Sequence, residues 1–239
     1  MSKIRIYIEP SKIADFIKIE EMGVVHKVKN VLRLDEGDEL FVFDGTGKEY
    51  LAVIKYLQHD SITLRLGESV REAALGFEIA LAFPMTKEEK VDLILQKATE
   101  LGVTQFLPFV ANRGLKVNPS ESKLERWQNI IKEATRQSER LWLPRLLSVQ
   151  PLDKIASGTY DKKLFADING IPAGKAFTAG TKSVLLIIGP EGDFSSEEKS
   201  FLKESGFTAV NIGPNILRLE TAAIFLTGLA AYFLQGNAR

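Results

Sequence analysis

The chain has 239 residues, 45% of them hydrophobic and 26% charged, and its 31 basic and 31 acidic side chains cancel. That balance describes a globular protein and excludes a strongly basic, nonspecific nucleic-acid binder, although a local basic face is enough for an RNA substrate. With no cysteine and only His26 and His59, disulfides, thiolate nucleophiles and Cys-based metal sites are removed, a His-built metal centre would need several carboxylates besides, and a metal-free protein is expected. No apolar run reaches membrane-spanning length and the start, MSKIRIYIEPSK, lacks a signal-peptide core. The expected setting is therefore the cytoplasm, with no membrane partner.

Residues 1–72 read as a β-rich domain. IRIYI (4–8) alternates, and 25–34 carries apolar residues at helical spacing. Three strands follow at 38–45, 50–57 and 61–67, with Asp44-Gly45 and Gly47 making a hairpin. Short, closely spaced strands predict a small barrel.

From residue 73 to the end the pattern becomes strand–helix alternation, which implies a parallel sheet with covered faces. FEIALAF (77–83) is a strand, and Thr86 with Glu89 forms a capping box for a helix reaching Leu101 and Gly102. TQFLPFV (104–110) is the next strand. Asn118, Pro119 and Glu121 start a long helix to about Arg140. Strands at 144–149 and 162–167 flank a short helix at 151–157, and the Gly-rich 170–182 reads as a loop.

Two related stretches follow, VLLIIGPEGDF (184–194) and NIGPNILRLETA (211–222). In each, an apolar run ends in an Ile-Gly-Pro turn that bares backbone N–H and C=O groups. Ser195 and Glu198 form a capping box, so a helix starts directly after the first turn. Open α/β sheets bind ligands past the carboxyl ends of their strands, so the two turns are placed to line one pocket. The plainer alternative is a pair of structural turns. The last helix, Thr221–Leu234, is apolar nearly all round. Such a helix is buried on all sides, and a second subunit is the expected cover, which gives a homodimer.

The chain resembles the 16S rRNA (uracil-N3)-methyltransferases, the RsmE family of the SPOUT class. The resemblance is carried by His26 with Val31-Leu32-Arg33, by QKATELGV (96–103), and by Glu133-Ala134 with Gln137-Ser138 and Arg140. It continues in IGPEG (188–192) and LRLETA (217–222). It implies a small PUA-like β-barrel for RNA binding, then an α/β methyltransferase domain with a C-terminal trefoil knot. It also implies S-adenosylmethionine as cofactor, 16S rRNA of the small ribosomal subunit as substrate and partner, and methylation of a uridine N3 as the reaction.

By motif, the cofactor residues are Ile188, Gly189, Pro190, Glu191, Gly192, Ile212, Gly213, Leu217, Arg218, Leu219, Thr221 and Ala222. Ala166, in the segment after 165, joins them. The residues agree: adenine needs an apolar slot and backbone groups for its edge. The GPEG turn has neither the GK[ST] of a P-loop nor a third dinucleotide-fingerprint glycine, which disfavours ATP and NAD. N3 is nucleophilic only after losing its proton, so the site needs a base or nearby cations. Arg218 and Glu220 are the catalytic candidates. The competing reading is that Glu220 caps the last helix and Arg218 pairs with it.

RNA contacts are expected from Arg5, His26 and Arg33 in the first domain and from Arg113, Arg136, Gln137 and Arg140 in the second. For any one of these a solvated face is the ordinary alternative, and for His26 a structural role. Two departures from the family pattern stand out. Asn112-Arg113-Gly114 replaces a usual Glu-Arg-Ser, and Asp193 stands where a second glycine is common. Rival readings are a SPOUT enzyme acting on a ribose 2′-hydroxyl and a non-catalytic RNA-binding assembly factor.

Overall fold

The structure, a computed structural model, describes residues 4–112, 114 and 118–236. These fall into two compact units, one within 1–75 and 135–143, the other within 76–134 and 144–239.

The first unit holds strands β1 (Arg5–Tyr7), β2 (Phe16–Ile19), β3 (Glu39–Phe43), β4 (Lys48–Leu57) and β5 (Ile62–Glu72) in the order β1-β3-β4-β5-β2. Helix α1 (Met22–His26) runs on as a π-type turn over Lys27–Val31. Although β1 and β2 are the two edges, Ile6 and Ile17 enter one core with Val25, Val28, Leu40 and Ile54. The sheet therefore curls around a single interior, the small barrel expected of the β-rich segment. Strand β2 was not expected; its four residues alternate exposed and buried.

Arg5 lies inside this unit, 2% exposed. Its Nε donates to Glu49 Oε1 at 2.5 Å, and its guanidinium also donates to the carbonyls of Arg136 and Arg140, both at 3.0 Å. A cation at these last helical carbonyls satisfies acceptors that the helix leaves open. The expectation that Arg5 contacts RNA is therefore corrected: its charge is spent on Glu49 and backbone, and no face is left for a phosphate.

The second unit contains β6 (Glu78–Pro84), α2 (Glu88–Leu101), β7 (Gln105–Val110), α3 (Glu121–Gln137), whose last turn belongs to the first unit, β8 (Arg145–Leu146), β9 (Gln150–Pro151) and α4 (Leu152–Ala156). It continues with β10 (Lys162–Pro172), β11 (Ser183–Ile187), α5 (Ser196–Glu204), β12 (Thr208–Asn211) and α6 (Leu219–Gly236). The sheet order is β12-β10-β11-β6-β7-β8, with β9 also on β7, and every pairing is parallel. This is the α/β class expected from the alternating pattern. No helix among the described residues is long and apolar enough to cross a membrane.

Three local expectations change. The cap of α2 is Lys87, with no side-chain bond, while Thr86 is buried instead of capping. Helix α3 starts at Glu121, after Ser120, whose Oγ accepts from Lys123 N–H at 3.4 Å, and stops at Gln137, two residues before Glu139 takes a positive φ of 55°. The segment from 170 is not all loop: β10 runs to Pro172, and Ala173–Lys175 forms a 3-10 turn. Gly170 permits this, because a Cβ there would lie 2.5 Å from the backbone of Ala209 and Val210. With no side chain, β10 and β12 pair through a register shift between Ala166 and Ile171.

Candidate active site

Because β12, β10 and β11 are parallel neighbours, their carboxyl ends stand side by side. The segments after Phe165, Ile187 and Asn211 therefore meet at one edge of the sheet, where α/β sheets place their ligands.

The first turn is closed by Asp193 N–H donating to Pro190 O at 2.8 Å. Asp193 has a φ of 61°, a conformation aspartate tolerates, and its Oδ1 accepts from Phe194 N–H at 2.8 Å. Phe194 stacks on Phe109 and meets Phe165 edge-on, which anchors the turn in the core. The predicted capping box of α5 is present: Ser195 Oγ accepts from Glu198 N–H at 3.2 Å, and Glu198 Oε2 accepts from Ser195 N–H at 2.8 Å. Glu198 Oε1 also accepts from Asn112 N–H at 3.0 Å, tying the segment after β7 to this turn. In the second turn, Asn211 Oδ1 accepts from Gly213 N–H at 2.7 Å, and its Nδ2 donates to Ile168 O at 2.6 Å.

These turns enclose a cleft of about 700 Å³, a volume suited to a cofactor. Ala166, Ile188, Gly189, Pro190, Glu191, Gly192, Ile212, Gly213, Leu217, Arg218, Leu219 and Ala222, all expected from the sequence, line it. Thr221 does not; it is exposed on the first turn of α6. The two stretches thus form two walls of one pocket. Lys90, Asp167, Ile168 and Asn211 also line the cleft, and sequence reasoning had not assigned them roles.

Two charge clusters border it. Lys199 Nζ donates to Asp167 Oδ2 at 2.8 Å and to Asp193 Oδ2 at 2.6 Å, joining the end of β10 to the first turn. Burial pulls the Lys199 ammonium down, but its two carboxylates outweigh that and leave it above the ordinary lysine value. Burial likewise pushes the Asp167 carboxyl up, and Lys199 with the Asn169 N–H holds it below the usual range. On the other side, Lys90 Nζ donates to Glu191 and lies 3.8 Å from Glu220 Oε2. The Glu191 bond raises Lys90, and the Lys90 bond lowers Glu191. Glu220 is thus partnered by Lys90 and not by Arg218. The Arg218 guanidinium is exposed and makes no hydrogen bond or ion pair among the described residues.

The other RNA candidates scatter. His26 and Arg33 are exposed on the first unit, and Gln137 is exposed at the end of α3. Arg136 is half-buried, and burial lowers Arg140 to about 10. Arg113 lies outside the described residues. On α3, Lys123 pairs with Glu88 at 3.7 Å and Arg126 with Asp92 at 2.5 Å, which neutralises part of the basic stretch. No group of three or more acidic or histidine side chains able to hold a metal occurs among the described residues.

The chain carries an RNA methyltransferase domain preceded by a PUA domain. The family model described as RNA methyltransferase domain matches residues 73–231, and that described as RNA methyltransferase PUA domain matches 28–67. Among curated relatives, the ribosomal RNA small subunit methyltransferase E of Synechocystis is 34% identical over 91% of this chain and 74% of its own. That of Rickettsia conorii is 32% identical over 98% and 96%. A crystal structure of the Neisseria gonorrhoeae protein of that name, bound to S-adenosyl methionine, superposes with a TM-score of 0.83 at 26% identity, covering 98% of this chain and 97% of that one. The chain belongs to the ribosomal RNA small subunit methyltransferase E family.

Proposed function

We propose that the protein transfers a methyl group from S-adenosylmethionine to N3 of a uridine in 16S rRNA of the small ribosomal subunit. The observation that carries this reading is the convergence of the IGPEG and LRLETA segments on one cleft at the carboxyl edge of the sheet. The cleft fits the cofactor by its own chemistry. Ile188, Ile212, Leu217 and Leu219 give an apolar slot, and the turns beside it offer backbone donors and acceptors. Among the lining side chains, the carboxylates Asp167, Glu191 and Asp193 face the cations Lys90 and Arg218.

S-adenosylmethionine supplies an electrophilic methyl on a sulfonium, a good leaving arrangement. The protein's part is to hold N3 in line with it and to manage the N3 proton. Arg218 and Glu220 are the residues assigned to that part. Residues 1–72 act as the PUA-like RNA-binding domain and 73–239 as the SPOUT methyltransferase domain with its knotted C-terminal half. His26, Arg33, Arg136, Gln137 and Arg140 supply contacts to the RNA; none of these need read sequence.

The working form is a cytoplasmic homodimer. Phe225 and Tyr232 on α6 are 51% and 75% exposed in the single chain, and Leu229 is half-buried beside them. An apolar stripe on an otherwise buried helix supports a second copy as its cover. Calorimetry with S-adenosylmethionine tests the function. Binding, with no binding of ATP or NAD, is expected; absence of binding to the purified protein would favour a non-catalytic assembly factor.

A further inference from the structure

The IGPEG turn contains little that fixes it from within. Gly189, Pro190 and Gly192 surround Glu191, and the turn closes on the bond from Asp193 N–H to Pro190 O at 2.8 Å. Glycines leave backbone freedom that a preorganised site must restrain from outside. On one flank the restraint is Lys199 of α5, which ties Asp193 to Asp167. On the other flank stands Lys90, in the first turn of α2. Its Nζ donates to Glu191 and lies 3.8 Å from Glu220 Oε2. Glu191 belongs to IGPEG and Glu220 to LRLETA, so one ammonium joins the two segments that wall the cleft.

The two ends of this link differ in kind. The Glu191 side chain is 54% exposed, and an exposed ion pair contributes little by itself. The Glu220 side chain is 12% exposed, and its Oε2 is buried and accepts no hydrogen bond among the described residues. A buried carboxylate oxygen is costly unless a charge or a donor compensates it, and Lys90 is the cation within ion-pair distance. Glu220 thus fixes the Lys90 ammonium near the start of α6, and the fixed ammonium holds Glu191 and the turn that bears it. We propose that Lys90 is a positioning residue for the cofactor, acting through Glu191 and Glu220 to set the spacing between the two walls before S-adenosylmethionine arrives. This rests on the cleft being the S-adenosylmethionine site. A cleft already at that spacing binds without having to order the glycine turn. Once bound, the cofactor bridges both walls itself, so Lys90 governs affinity more than the saturated rate. Lys90 also lines the cleft, and direct contact with the cofactor is the competing account.

The test combines calorimetry with S-adenosylmethionine, single-turnover methylation of 16S rRNA, and amide exchange of the cofactor-free protein. Lys90→Met is expected to bind the cofactor about tenfold more weakly, with the rate at saturating cofactor lowered less than about threefold. Lys90→Arg keeps the charge and should recover most of the affinity. Exchange over 189–193 should quicken about threefold or more in Lys90→Met. In a Glu191→Gln protein, Lys90→Met should cost only about threefold, because the link is already cut at one end. Glu191→Gln alone should cost about threefold, which carries the test if Lys90→Met does not fold. Unchanged affinity, unchanged exchange, or a full tenfold loss in the Glu191→Gln protein overturns the proposal, the last result pointing to direct contact. If the unaltered protein binds no S-adenosylmethionine, the underlying reading falls instead, and that is seen before any variant is compared.

Discussion

Lys199→Met tests the link that holds two walls of the cleft together. Lys199 Nζ bridges Asp167 and Asp193, whose side chains are 7% and 58% exposed. Without the ammonium, Asp167 keeps the Asn169 N–H, at 2.8 Å, and the more distant charge of Lys203. A hydrogen bond to a charged group contributes roughly 1.5–3 kcal/mol. The screened Asp193 end adds less than about 1 kcal/mol. A total of about 2 kcal/mol corresponds, for a chain of this length, to a fall in Tm of roughly 4–8 °C. The loss depends on pH. Asp167 is depressed in the fold, so its contribution is present above the unfolded carboxyl value, about 3.9, and disappears as pH falls through the lower folded value. Lys199 is raised, so its contribution is full below the unfolded lysine value, about 10.4, and is lost as pH rises past the folded one. The gap between the two proteins should therefore be flat from about pH 5 to 9 and close at both extremes. With its anchor gone, the first turn is less preorganised, and cofactor affinity should drop about tenfold. Differential scanning fluorimetry across pH and calorimetry at pH 7 measure both effects. Equal Tm values at pH 7, or a gap that widens toward pH 3, would refute the reasoning.

Gly189→Val should weaken cofactor binding more than tenfold, because its Cβ would lie 3.0 Å from the Phe194 ring that anchors the turn. Such overpacking costs about 1–3 kcal/mol, and calorimetry with melting curves checks both losses. Phe225→Lys should give monomers without activity, read by analytical ultracentrifugation; an active monomer would remove the dimer from the account. Arg5→Met should destabilise by about 3 kcal/mol in urea denaturation, because buried Glu49 loses its close partner and keeps the half-exposed Arg71, 3.9 Å away. RNA affinity of the folded fraction should not change; a selective loss of RNA binding without destabilisation would return Arg5 to the RNA surface. Arg218→Ala should lower the methylation rate more than cofactor affinity, and unchanged turnover would exclude it from the site.

What the sequence disclosed was what is local. The β-branched run before Gly189, the Ser195–Glu198 box and the apolar faces of the helices are set by neighbours within a few residues, and all appear in the structure. The cofactor walls were legible because each is a contiguous motif. What stayed hidden depends on partners far along the chain. Lys90 sits in KEEK, which reads as a solvated helix start until α2 is placed against the turn at Glu191. Lys199 belongs to an amphipathic helix, and its two aspartates come from two other segments. Arg5 looked like a surface cation because Glu49 and the end of α3 are distant in sequence. Gly170 marked a loop by composition, yet its missing side chain lets β12 approach β10. Strand β2 is four residues long, too short for periodicity to stand out.

The central claim is the atom that receives the methyl group. Nucleoside mass spectrometry of 16S rRNA from a deletion strain, and from that strain carrying the gene again, tests it most directly. The account predicts N3-methyluridine lost on deletion and restored by the gene, but not by its Glu220→Gln form. An unchanged N3-methyluridine level on deletion, or loss of a ribose 2′-O-methyl mark in its place, would contradict it.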